Sequence, residues 1–147
     1  MSMINLLPIL DGHNDTLLEL HLADPPDGYS FFVRNERGHL DLPRAREGGL
    51  GGGFFAIFTP AKPEPPDLTA TDPSAIAALA PVPLELAYAQ QFTLAMAARL
   101  FRLEVEAKGE VKVVRTVEEL LACLNQGVLA VIFHIEGAEA VDAKVWL

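Results

Sequence analysis

The sequence predicts an α/β fold, the first part of a (β/α)8 barrel of TIM type that this 147-residue chain leaves incomplete. Three observations lead there. Short apolar runs that read as strands alternate with segments of helical period, which implies parallel βαβ units joined by right-handed crossovers. Two of these runs, Ile9-Leu10-Asp11-Gly12-His13-Asn14-Asp15 and Val128 to Gly137, end in polar groups. Carboxyl ends of parallel strands are where such a barrel places its chemistry, and closing it takes about 250 residues.

Ile4 to Leu10 reads as a buried first strand. The His-x-Asp pair at its end projects His13 and Asp15 to one side of an extended chain, about 6 to 7 Å apart, because strand side chains alternate faces. An imidazole beside a hard carboxylate suits zinc or a similar catalytic cation, so both are candidate metal ligands. Thr16 to Leu22 follows as a short helix, then the turn-rich Asp24 to Gly28. Tyr29 to Gly38 mixes aromatic and charged residues without a period and reads as an excursion over the barrel mouth. Asp41 is placed to cap a short helix with Pro43 in its first turn, and Gly48-Gly49 ends it. Gly51 to Thr59 is the second strand, apolar on both faces in its second half. Its opening glycines admit a phosphate cradle or close backbone packing; no Lys-Ser/Thr pair or helix follows, which favours packing. Pro60 to Pro83 is proline-rich and reads as a loop or lid.

The clearest helix runs from about Pro83 to Ala107, with Leu84, Tyr88, Phe92, Met96, Leu100 and Leu103 on one face as core packing. Val111 to Val114 is a short strand. Thr116 and Glu119 form a capping box in which each satisfies the other's free amide, and Gly127 closes that helix. Glu136 then ends an apolar strand, an expensive place for a carboxylate unless a cation meets it. Solvation past the strand end, or capping of a following helix, is the other reading. His134 shares the face of Glu136 two residues deeper and fits a hydrogen-bonded core histidine better than a ligand. His21 and His39 have no evident partner and read as surface or loop residues. Ala138 to Leu147 reads as the start of the next helix.

A formal charge of -9 and a pI near 4.8 argue against nucleic acid and anionic membrane surfaces, which require a basic face. Half the residues are hydrophobic, enough for a core of single-domain size. The lone Cys123 excludes an intrachain disulfide and reads as a buried thiol, tolerable in a reducing compartment. The amino terminus lacks a basic leader and a small-residue cleavage site, and no apolar run approaches the roughly 20 residues needed to span a bilayer. A cytoplasmic, soluble protein is the expectation.

Asp11-Gly12-His13-Asn14-Asp15, Gly38-His39-Leu40-Asp41-Leu42-Pro43-Arg44 with Arg46-Glu47-Gly48-Gly49, the Gly51 to Phe58 strand, and His134-Ile135-Glu136-Gly137-Ala138-Glu139 resemble the amino-terminal part of the membrane (renal) dipeptidase family. The likeness spans nearly the whole chain. It implies a metal-dependent hydrolase barrel with two zinc ions per complete site, sharing a hydroxide that attacks a dipeptide, often one with a D-residue at its carboxyl end. His13 and Asp15 are thereby implied as ligands of one zinc, and Glu136 as the carboxylate bridging both. Two further histidine ligands, a substrate-binding His and Arg, and the acid/base Asp lie downstream in the family, so no catalytic residue maps onto this chain. Members often dimerise, and a homodimer is implied here. Residues 1–147 are thus expected to be the amino-terminal portion of a single barrel domain, inactive alone. A non-catalytic interaction module and a metallohydrolase of another amide or ester are the alternatives.

Overall fold

Stretches rich in Val, Ile, Phe and Gly form four strands in a single sheet. They are β1 (Ile9–Asn14), β2 (Leu50–Phe58), β3 (Val111–Val114) and β4 (Leu129–Glu136). The computed structural model describes residues 7–23, 29–61 and 83–146. Helices α1 (Thr16–Leu22), α2 (Leu42–Glu47), α3 (Leu86–Glu106) and α4 (Val117–Gln126) connect the strands, and a 3-10 turn covers Ala143–Trp146. Every strand pair is parallel and the order is β1-β2-β4-β3, so the architecture is α/β, as the alternating patterns predict.

The strand order decides which face each helix covers. The step from β3 to β4 runs backwards across the sheet, so a right-handed crossover must carry α4 over the face opposite to α1 and α3. The buried clusters show this. Leu17 and Leu20 of α1 and Met96, Leu100 and Leu103 of α3 pack with Phe55, Ile57, Val111, Val113, Leu129 and Val131. The alternate strand residues, Val114 and Ala130, pack with Cys123 of α4. His134 and Glu136 continue the series of Ala130 and Ile132, so they lie on the α4 face, beyond the half that α4 covers.

Several expectations are corrected. β1 begins at Ile9, not Ile4, and Asp11, Gly12 and His13 lie inside it; residues 1–6 are outside the described residues. Its polar residues are tolerated because β1 pairs on one side only among the described residues. Tyr29 to Gly38 does not lie over the mouth: Phe31 is buried in the cluster on the α1 and α3 face, 6.3 Å from the Phe55 ring. The buried stripe of α3 includes Ala89 and Thr93 besides Met96, Leu100 and Leu103. His21 is not partnerless. Its ring stands 4.7 Å from Phe92, and burial, with Arg99 and Arg102 nearby, lowers its pKa. Beyond Gly137 the described residues form a turn and one 3-10 turn, not an α-helix. The turn-rich 24–28 segment and most of the Pro60 to Pro83 loop lie outside the described residues.

Both predicted caps form, with one change. The Thr116 hydroxyl accepts from the Glu119 amide at 3.2 Å, but the Glu119 carboxylate reaches past Thr116 to the Arg115 amide at 2.7 Å. Gly127 takes the left-handed conformation that ends α4, at φ 69°. Asp41 does more than cap α2. Its fully buried carboxylate accepts from the Arg44 amide at 2.8 Å, the Arg44 guanidinium at 2.6 Å and the Asn35 amide at 3.3 Å. Arg44 in turn donates to the carbonyls of Arg37 and Gly38, so one ion pair shapes the approach to α2.

The three glycines of β2 serve close packing. A Cβ on Gly52 would lie 2.5 Å from the Ala130 carbonyl oxygen, and one on Gly53 would lie 2.9 Å from the Asp11 Cβ. Gly52→Ala is expected to lower stability by about 1–3 kcal/mol, read from urea unfolding, because the backbone of β4 has to retreat. Asp41 supplies a second test. Burial opposes its charge, but the hydrogen bonds from Arg44 and Asn35 outweigh it and hold the carboxyl below its usual range. Its contribution is present in full above the unfolded value of about 3.9 and is lost as pH falls through the lower folded value. Asp41→Asn is expected to cost about 3 kcal/mol at pH 7. The gap between variant and parent should close below about pH 4 in acid-unfolding curves.

Candidate metal centre

The first functional segment is built by a division of labour among four neighbouring polar residues. Asp11 turns its carboxylate to the His13 amide (3.3 Å) and the Asn14 side chain (2.8 Å). Asn14 also donates to the Phe54 carbonyl and accepts from the Thr16 amide, each at 3.3 Å. That last bond serves one of the open amides at the start of α1. Asp15 occupies the N-cap position of α1 but makes no side-chain cap bond. Its carboxylate is free to turn towards His13, whose Nε2 lies 3.5 Å from Asp15 Oδ1. Asp15 itself lies just past the strand, at the start of the helix, and is not a strand residue as expected.

Glu136 arrives from the other end of the chain. It is the last residue of β4, paired in register with Phe58, and Gly137 at φ 87° turns the backbone away immediately after it. Its Oε2 lies 3.6 Å from His13 Nε2. The ligand atoms of His13, Asp15 and Glu136 all lie within 4.8 Å of one another, so the structure brings the three sequence candidates together. All three side chains are about half exposed, open to solvent at the carboxyl end of the sheet. Two carboxylates converge on one imidazole, a donor set of one nitrogen and hard oxygens that fits zinc or a similar divalent ion.

His134 reads from the sequence as a core histidine, yet its ring packs against this cluster. Its ring centroid is 6.0 Å from that of His13 and 5.9 Å from that of Phe54, edge-on to both. The signal was its two-residue spacing from Glu136, which puts both on one face. His39 is exposed, as expected. Cys123 is buried between α4 and the sheet, and burial pushes its thiol pKa up, so it is an inert packing residue.

The family model for membrane dipeptidase (peptidase family M19) matches residues 2–146. The chain belongs to the membrane dipeptidase family. A metallopeptidase from Rhodobacter sphaeroides, solved with a phosphinate mimic of the dipeptide L-Ala-D-Ala, is 38% identical with a TM-score of 0.75 over 94% of this chain. The solved dipeptidase AC, a metallopeptidase of family M19, is 37% identical with a TM-score of 0.73 over 93% of this chain. An uncharacterized protein of the PQQ-III 3′ region in Acinetobacter calcoaceticus is 33% identical over 145 residues, 92% of this chain. The chain spans 42% of that protein's length and 40% and 39% of the two solved chains.

As a member of the dipeptidase family, the chain has an α/β fold with a parallel sheet that matches those metallopeptidases, and a relation to metal-dependent hydrolases. Among the described residues no helix is long and apolar enough to cross a membrane. The polar turn after β1 is open to direct test. Asn14→Ala removes the bonds to Asp11, Phe54 and Thr16 and is expected to cost about 1–2 kcal/mol in urea unfolding.

Proposed function

We propose that residues 1–147 are the amino-terminal portion of a single (β/α)8 metallohydrolase barrel, and that they carry part of the metal centre of a zinc-dependent dipeptidase. The observation that carries this reading is the meeting of His13, Asp15 and Glu136 at one end of the sheet. His13 and Asp15 would hold one zinc, and Glu136, with two carboxylate oxygens to offer, would serve both that zinc and a second. An amide at position 136 lacks the second anionic oxygen. When bound, the metal pair supplies a nucleophile at neutral pH, by lowering the pKa of water from 15.7 to about 7, and neutralises charge building on the scissile carbonyl.

The chain's own residues do the holding. Asn14 serves the Thr16 amide at the start of α1, Asp15 makes no side-chain cap bond and so keeps its carboxylate for the site, and Glu136 ends β4 with its carboxylate near His13. The remaining ligands and the acid/base group belong to sequence outside this segment, in keeping with its two-fifths share of the solved relatives. A dipeptide is the proposed substrate class, supported by the phosphinate bound to the Rhodobacter metallopeptidase. A tetrahedral phosphinate imitates the adduct formed when water adds to a peptide carbonyl, and such mimics bind tighter than substrate. The reading extends to a cytoplasmic protein that forms homodimers.

Zinc titrated calorimetrically into the isolated chain is expected to show one tight site and a second, much weaker one, with no turnover of L-Ala-D-Ala or L-Ala-L-Ala. Glu136→Gln is expected to weaken the tight site about tenfold or more. Two tight sites with dipeptide turnover overturn the partial-site reading, and zinc binding indifferent to Glu136→Gln overturns the ligand set.

A further inference from the structure

Ala56 lies on β2, between the strands that carry His13 and Glu136. It pairs in register with His134, as Phe58 pairs with Glu136, and register partners on parallel strands share a face. β1 and β4 flank β2, so their backbones stand two strand spacings apart, about 9.6 Å. Yet the His13 and His134 ring centroids are 6.0 Å apart, and His13 Nε2 comes within 3.6 Å of Glu136. The His13 side chain therefore leans across β2, over the level that Ala56 occupies. Ala56 is fully buried although the neighbouring ligands are half exposed. A longer side chain there fills the space through which the imidazole passes. The His134 ring meets His13 at 82° and Phe54 at 88°, so it is braced by one ring and braces the other.

We propose that Ala56 is a spacer and His134 a positioning residue, together fixing the His13 imidazole between the Asp15 and Glu136 carboxylates; the inference rests on those three being metal ligands. His134 acts through the shape of its ring, not as a donor to the metal. Edge-to-face contacts of this kind set orientation, and partners that orient a ligand typically carry about ten- to a hundredfold in metal affinity.

Two readouts on the full 147-residue chain test it: cobalt(II) titration followed by d–d absorption, and the His13 ring-proton resonance without metal. His134→Ala is expected to weaken cobalt binding about tenfold or more and to move the His13 resonance, whereas His134→Phe stays within about threefold of the parent. Ala56→Ser is likewise expected within about threefold, and Ala56→Leu to lose about tenfold or more. Should Ala56→Leu fail to fold, the His134 pair decides alone. Parental affinity in His134→Ala, or equal loss in His134→Phe, overturns the proposal. A parent chain that binds no cobalt while His134→Ala still moves the His13 resonance removes the ligand reading and leaves the packing. An unmoved resonance removes the packing.

Discussion

β2 lies between the strand that carries His13 and the strand that carries Glu136, and its closeness to both governs whether their side chains can meet. Glycines at its entrance allow that closeness. Any Cβ at Gly52 runs into the β4 backbone and any at Gly53 into Asp11 of β1, so larger residues there spread the sheet on both sides. A spread of a few tenths of an ångström at the entrance is carried upward along parallel strands. The 3.6 Å between His13 and Glu136, which spans β2 at the other end, leaves little slack for it. The glycine run that resembles a phosphate loop is therefore a device of sheet geometry, and the site is its beneficiary.

The second constraint comes from chain direction. Because β4 enters between β2 and β3, α4 has to cross the face that also bears His134 and Glu136. α4 fills the lower half of that face with Cys123 and Leu120 against Val114, Ala130 and Ile132. The polar residues above thus stand on a packed base. Close-packed interiors transmit displacement poorly tolerated at any one point, so a base of this kind restricts the rotamers of the groups that stand on it.

Most elements were legible because their signals are local. Thr116 and Gly127 bracket α4, Asp41 and Pro43 open α2, and the apolar runs of β2 and β4 leave few other uses for Ile, Phe and Val. Polar groups at strand ends single out His13, Asp15 and Glu136, and the likeness of several ordered motifs to the dipeptidase family reaches further, implying their roles as metal ligands. What sequence could not supply was non-local. Phe31 enters the core by packing edge-on to Phe55 in the cluster shared with α1 and α3, and nothing in an aperiodic aromatic run announces that. His134 reads as a core residue until the tilt of His13 across β2 is known. Asp15 reads as a strand residue until it is seen at the N-cap position of α1, making no cap bond, with its carboxylate turned to His13.

On the proposed reading, the two halves of the metal centre differ in what they ask of the fold. His13 and Asp15 are two residues apart, so even an unfolded chain keeps them within reach of one ion. Glu136 is brought to them only by the β1-β2-β4 register. A ligand stabilises the native state only to the extent that it binds that state better than the unfolded one. The His13–Asp15 pair therefore contributes affinity in both states, and much of it cancels. Glu136 contributes in the folded state alone. On that reading the stabilisation that metal would confer on this sheet resides chiefly in Glu136, the one candidate ligand that ties the first strand to the last.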